Sequence, residues 1–147
     1  MIKVVAEREI NAPADRLYRI VADYRQHHPH MLPPAISDLV VEEGGVGAGT
    51  VIRFSVTMGG RTTAFHSRVE EPEPGKVLAE NDLDSDLITR FIVTSAVTGS
   101  IVRIESTWTP HGVQGLFERF FAPRMLGSVY QQELALLDTY AREHVDA

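Results

Sequence analysis

The chain contains no cysteine, which removes disulfides, thiolate metal centres and cysteine nucleophiles together. It has no run of four basic residues and carries a net charge of −6. A nucleic acid or an anionic membrane surface would call for a basic patch, so neither is expected as a partner. No apolar run approaches the ~20 residues that cross a bilayer, and no membrane span is expected. The opening MIKVVAEREI scatters charges among its apolar residues and lacks the apolar core of a signal peptide, which makes a cytoplasmic location the default. Neither a G-x-S-x-G elbow nor H-E-x-x-H occurs, and no internal repeat or linker is present. What remains is 147 residues, 44% apolar and 23% charged, suited to one domain with a real core.

Ile2 to Ile10 alternate loosely and suit an opening strand, stopped by Asn-Ala-Pro at 11–13. Pro13 fits a first helical turn, and Asp15 follows near the positive end of that helix. Leu17, Ile20, Val21 and Tyr24 share one face, predicting a short helix to about Asp23. The next stretch, YRQHHPHMLPP, is bracketed by Pro29, Pro33 and Pro34 and holds at most a turn or two of helix. From Ile36 to Thr109 the period changes to two. Strands are predicted at 36–43, 49–58, 61–71, 76–82, 86–97 and 100–109, separated by short turns such as GGVGAG, MGGR and EPEPGK. Connections this short join antiparallel neighbours, giving a seven-stranded sheet with the opening strand. A broad apolar stripe then predicts one long helix from Val113 to about Val145, kinked or broken near residue 122 by Pro123.

Alternation nominates the inward faces. Ile52, Phe54, Val56 and Met58 share one face, and Val102, Ile104, Ser106 and Trp108 another. By the same logic Phe65, Ser67 and Val69 pair with Phe91, Val93 and Ser95. The parity of 76–82 stays open. If Leu78 faces inward then so does Glu80, a buried carboxylate fit for acid–base work or for pairing with Arg90 or Arg124. If Val77 and Ala79 do, Glu80 is a surface charge. Arginines 53, 68 and 103 fall on outward parity.

Three of six histidines crowd into residues 27–30. His28 and His30 straddle Pro29 and would point the same way in an extended chain. A metal would need a third ligand, with Asp23, His66 and His111 the only and unpatterned choices. A polar rim at a cavity mouth or a solvated loop suits the stretch better, and no metal or cofactor is expected. Gly45, Gly47 and Gly49 lead into a strand instead of a helix, so they read as a hairpin turn and not a phosphate loop. Asp82, Asp84 and Asp86 lack the glycine and glutamate of a calcium loop and read as a solvated turn. Tyr130 and Trp108 suit core packing or a pocket wall.

INAPADRLYRIVADY, VGAGTVIRF, RVEEPEPGKVL and QQELALLDTYAR, in this order, resemble the helix-grip superfamily of START lipid-transfer domains, birch-pollen allergens and polyketide cyclase/dehydrase-like proteins (SRPBCC). The resemblance covers nearly the whole chain. It implies an α+β fold of one domain, residues 1–147: a seven-stranded curved antiparallel sheet wrapped around a long C-terminal helix, with two short helices between strands 1 and 2. It also implies an apolar cavity between sheet and helix, holding lipid-like, polyketide-like or other hydrophobic ligands. Inward parity places Phe54, Val56, Phe65, Ser67, Phe91, Val93, Ile104 and Trp108 on the sheet side of it. Phe117, Phe121, Met125 and Tyr130 face it from the helix.

Three functions compete. The first is carriage of a small hydrophobic ligand. The second is a polyketide cyclase, aromatase or dehydratase, with His28, His30, Glu80 and Tyr130 as candidate catalytic groups. The third is an interaction module whose cavity has collapsed. Self-association is left open.

Overall fold

The computed structural model describes residues 1–109 and 122–147. Nine residues of alternating burial form β1 (Ile2–Ile10). Pro13 ends the loop behind it and caps α1 (Ala14–Ala22), its carbonyl accepting from the Leu17 amide at 3.1 Å. Leu17, Ile20 and Val21 are wholly buried, as the i, i+3, i+4 spacing requires. A short 3-10 helix spans His28–Met31. Six further strands follow: β2 (Ile36–Glu43), β3 (Val51–Met58), β4 (Arg61–Glu73), β5 (Val77–Asp82), β6 (Ile88–Ser95) and β7 (Ser100–Trp108). Helix α2 (Ala122–Glu143) closes the order. The predicted break near residue 122 falls where its described part begins, and Phe117, Phe121 and His111 lie outside the described residues.

The strands form one antiparallel sheet in the order β1-β7-β6-β5-β4-β3-β2. It is therefore a meander whose last hairpin strand is covered by the first strand of the chain. Irregularities in register interrupt β2 between Ser37 and Val40 and between Val41 and Glu43, and β4 between Glu70 and Glu73. Asp38, with φ of 57°, sits in the first. Such bulges bend a strand and increase its twist, which lets a seven-stranded sheet curl over a helix. Helix α2 packs chiefly on β1 and the 3-10 helix. Its inward stripe is Leu126, Val129, Tyr130, Glu133, Leu134, Leu137 and Ala141, all buried, the recurrence of a 3.6-residue period.

One expected pairing is corrected by this topology. Phe65, Ser67 and Val69 do not pair with Phe91, Val93 and Ser95, because a meander inserts β5 between β4 and β6. Phe65 instead lies opposite Phe54 on β3, with ring centroids 5.5 Å apart. Val69 lies opposite Glu80, and Ser95 is exposed.

The glycine turn between β2 and β3 also serves as a clamp on the end of α1. The Gly45 carbonyl accepts from the Tyr24 amide at 2.7 Å, and the Gly47 amide donates to the Ala22 carbonyl at 2.9 Å. Gly47 has φ of 66°, and a Cβ there would sit 2.4 Å from Glu71 Oε1; only glycine suits both conditions. Glu71 in turn accepts from the Ala48 amide and from the Tyr18 hydroxyl. The clamp fixes the chain that enters the histidine segment.

Candidate functional site

Register settles which way Glu80 points. Val77, Leu78 and Ala79 are all buried, so burial alone does not distinguish the faces. Glu80 is flanked by Val69 on β4 and Thr89 on β6, and Thr89 is flanked by Ser106 on β7 and then Val4 on β1. One inward row of the sheet therefore reads Val69–Glu80–Thr89–Ser106–Val4. The neighbouring row, Leu78–Phe91–Ile104–Ala6, is wholly apolar. A polar stripe thus crosses an apolar concave face.

Helix α2 lays two polar side chains over that stripe. The Tyr130 hydroxyl lies 2.5 Å from Ser106 Oγ, which lies 2.7 Å from Thr89 Oγ1, a buried three-hydroxyl chain. Burial holds the Tyr130 hydroxyl well above its ordinary pKa. One turn further on, Glu133 is 2% exposed and has no hydrogen bond or ion pair among the described residues. Its carboxyl is pushed well above the ordinary range, first by burial and then by the nearby Glu80.

The third contributor is the histidine segment. His28 is 3% exposed and its Nδ1 lies 2.7 Å from the Val21 carbonyl oxygen. A carbonyl only accepts, so Nδ1 carries the proton and Nε2 of the neutral ring is a bare acceptor. Burial lowers the His28 pKa from 6.5 to about 4. Its ring stacks on Tyr24 at 4.2 Å and meets Phe91 edge-on. His28 Nε2 lies 4.0 Å from Glu80 Oε2, which accepts from the Tyr24 hydroxyl at 2.5 Å. Burial raises the Glu80 carboxyl from 4.5 to about 7, and the Tyr24 bond pulls it partly back. Tyr24 is thus the partner of Glu80; the arginine pairing does not form, Arg90 turning to Thr107 on β7.

His28, Glu80, Thr89, Tyr130 and Glu133 border a cavity between sheet, 3-10 helix and α2, with about 590 Å³ of empty space out to its open mouth. It has room for more than one water molecule. The interior is therefore not packed solid. Of the residues nominated from parity, Phe54, Val56, Phe65, Phe91 and Tyr130 border it, as do His28 and Glu80. Leu32, Ile36, Leu39 and Leu87 contribute further apolar wall, and no lysine or arginine is among the described residues lining it.

The other nominated residues among those described lie elsewhere. Val93, Ile104 and Trp108 belong to the packed core, Ser67 is buried on β4 opposite Ile52, and Met125 packs against the core edge. His30 is exposed and stacks on Tyr140, with ring centroids 4.9 Å apart. His28 and His30 do not point the same way, because Pro29 opens a 3-10 helix of three residues per turn. His27 Nδ1 meets the Tyr140 hydroxyl at 2.7 Å. Asp23 accepts from the Arg25 and Gln26 amides, and His66 bonds Glu42 on the outer face, so the two do not converge. Asp82 accepts from Ser85, and Asp86 from Thr109, within the turn and beside it.

Glu133 was missed by the parity argument, yet a signal existed. In Leu126-x-x-Val129-Tyr130-x-x-Glu133-Leu134-x-x-Leu137 the glutamate occupies the inward stripe at helical spacing.

Comparison with known proteins agrees with the architecture. A family model described as polyketide cyclase / dehydrase and lipid transport matches residues 1–142. The solution structure of the KanY protein superposes with a TM-score of 0.85 at 31% identity, covering 96% of this chain and 97% of that one. The Zhui aromatase/cyclase from Streptomyces gives 0.69 at 20% identity over 99% and 96% of the two chains, a likeness of fold. Norbelladine synthase of Narcissus pseudonarcissus is 36% identical over 62 residues, 41% of this chain and 38% of that protein. The match therefore spans well under two thirds of that relative's length.

Proposed function

The chain belongs to the polyketide cyclase / dehydrase and lipid transport family, and within it we propose that this member holds a small, mainly apolar ligand between its sheet and α2. The observation that carries this reading is the cavity itself, with an apolar wall and a few convergent polar groups, the usual make-up of a small-molecule site. Empty space of this kind costs roughly 24 cal/mol per Å³ where side chains fail to fill it. Filling it with a ligand that buries about 300 Å² of apolar surface would gain up to roughly 7 kcal/mol before association costs. Native mass spectrometry of freshly purified protein, with organic extraction, tests the reading. Retained small molecules, or saturable uptake of Nile red that Val129→Phe abolishes, are expected. Absence of both would remove it.

A second reading, acid–base catalysis on a carbonyl-bearing substrate such as a polyketide chain, is favoured by Glu80, Glu133 and His28 bordering one cavity. The protonated Glu133 would donate to the carbonyl oxygen while His28 Nε2 or the Glu80 carboxylate takes the α-proton, leaving an enol. Deuterium exchange at the α-carbon of a diketone in D2O tests this. Acceleration that disappears in Glu80→Gln supports catalysis, and exchange at the background rate argues for carriage alone.

A further inference from the structure

The polar groups that border the cavity are unbalanced in kind. His28 Nε2 can only accept while the ring is neutral, since Nδ1 is committed to the Val21 carbonyl. Glu80 already accepts from Tyr24. Glu133, on the opposite wall, is buried with no hydrogen-bond donor among the described residues. The hydroxyls of Thr89, Ser106 and Tyr130 bond one another. Two carboxyls and a bare imidazole nitrogen thus face one apolar space without a lysine or arginine among the described residues lining it. An isolated carboxylate in such surroundings is costly and takes up a proton unless a cation reaches it. Nothing in the described wall is that cation.

We propose that the cavity takes an apolar, aromatic-bodied amine, its ammonium group held between Glu133 and Glu80 with His28 Nε2 accepting one of its N–H groups. This deepens the ligand-holding reading and rests on it. The amine supplies donors to Glu133 and His28 Nε2, which lack them, and a second donor to Glu80 beside that of Tyr24. Its ring lies against Phe54, Phe65 and Phe91, whose π-faces also favour a nearby cation. Binding is then linked to protons. The empty site holds protons on its carboxyls, and the ammonium displaces them, so affinity rises with pH until the amine itself loses its charge near that of a lysine side chain, ~10.4. The groups facing Glu133 that share this linkage are Glu80 from β5, Tyr24 from the segment after α1, and Tyr130 from its own helix, with His28 bordering the same space.

Isothermal titration of the whole chain with 2-phenylethylamine and its neutral counterpart 2-phenylethanol decides the matter, at about pH 6 and about pH 8.5, on either side of the ordinary histidine range. The amine should bind at least about tenfold tighter than the alcohol at the higher pH, roughly 1.4 kcal/mol. The preference should shrink to under about threefold at the lower, and the heat at the higher pH should vary with buffer as protons are released. Glu133→Gln should reduce the preference at high pH to the low-pH level. Equal affinities at both pH values, or a preference for the alcohol throughout, would overturn the amine assignment and leave ligand holding intact. Failure of both compounds and of Nile red to bind would remove the ligand-holding reading and this inference with it. Should Glu133→Gln not fold, the pH profile of the unmodified chain still decides.

Discussion

The hydroxyl of Tyr24 donates to Glu80 Oε2 at 2.5 Å, joining the segment that leaves α1 to the middle strand of the sheet. The bond links the two parts of the chain that sequence reading left least settled, the histidine segment and the parity of β5. It also supplies the one donor that Glu80 receives among the described residues. With Tyr24 stacked on His28, the pair positions the imidazole whose Nε2 faces the cavity.

Tyr24→Phe keeps the ring stack and removes only the donor. A hydrogen bond to a carboxylate that is 11% exposed contributes more than a neutral one, and its loss should cost about 1–3 kcal/mol. Because that bond draws the Glu80 pKa down, its removal should move the carboxyl titration above about 7. Urea denaturation and carbon-detected NMR of the glutamate carboxyls check the two parts. An unmoved Glu80 titration would show that Tyr24 is packing and nothing more.

The buried groups set how stability depends on pH, and their signs differ. Glu80, raised from 4.5 to about 7, keeps its proton in the folded chain where the unfolded chain has lost it. Its contribution is full below 4.5 and is lost as pH rises through about 7. Glu133, raised further by burial, acts in the same direction. His28, lowered from 6.5 to about 4, is opposite: its contribution is full above 6.5 and is lost as pH falls through about 4. Between 4.5 and 6.5 Glu80 and His28 nearly cancel, and Glu133 leaves a net decline of at most about 1.4 kcal/mol per pH unit. Asp15, Glu42 and Asp86, all lowered, work at more acid pH. Glu133→Gln should therefore flatten the profile in that interval and gain on the parent as pH rises to about 8. Parallel profiles for the two proteins would show that Glu133 does not hold a proton.

The hydroxyl chain Thr89–Ser106–Tyr130 binds α2 to the sheet. Removing either end of the 2.5 Å contact leaves a buried hydroxyl one partner short, so Tyr130→Phe and Ser106→Ala should each cost about 1–2 kcal/mol. The double substitution should cost less than their sum by at least about 0.5 kcal/mol, the coupling expected of groups in direct contact. Strict additivity in a denaturation cycle would mean the two hydroxyls act independently.

Much of the fold was readable because period is a local property. Alternation over Ile52 to Met58 and over Val102 to Trp108, with glycine and proline turns between strands, leaves little choice but a meander. The site was less legible because it depends on register, which is set between strands. Val77-Leu78-Ala79 is apolar at three successive positions, so β5 declares no inward face until Val69 and Thr89 flank Glu80. His28 and His30 look equivalent in sequence, and only the 3-10 turn at Pro29 sends one inward and the other onto Tyr140. Glu133 sits on a stripe whose other members are almost all apolar, and helical period alone does not tell a buried carboxyl from a break in that face.

Leu126 and Leu137 lie about three turns apart on the same face of α2 and offer an internal test of the cavity. Both are buried, at 4% and 0% exposure, but only Leu126 borders the empty space. The cost of truncating a leucine rises with the void left behind, and a side chain already facing empty space forfeits fewer contacts. Leu137→Ala should therefore cost about 3–5 kcal/mol, and Leu126→Ala about 2 kcal/mol, the low end of the range for a buried leucine. The enlarged cavity of Leu126→Ala should also accept bulkier apolar ligands than the parent, which Leu137→Ala should not. Chemical denaturation of both variants, with and without a saturating ligand, measures the difference. Equal costs and an unchanged ligand range would mean that the space beneath Leu126 closes in solution, and that sheet and helix meet there as a packed core.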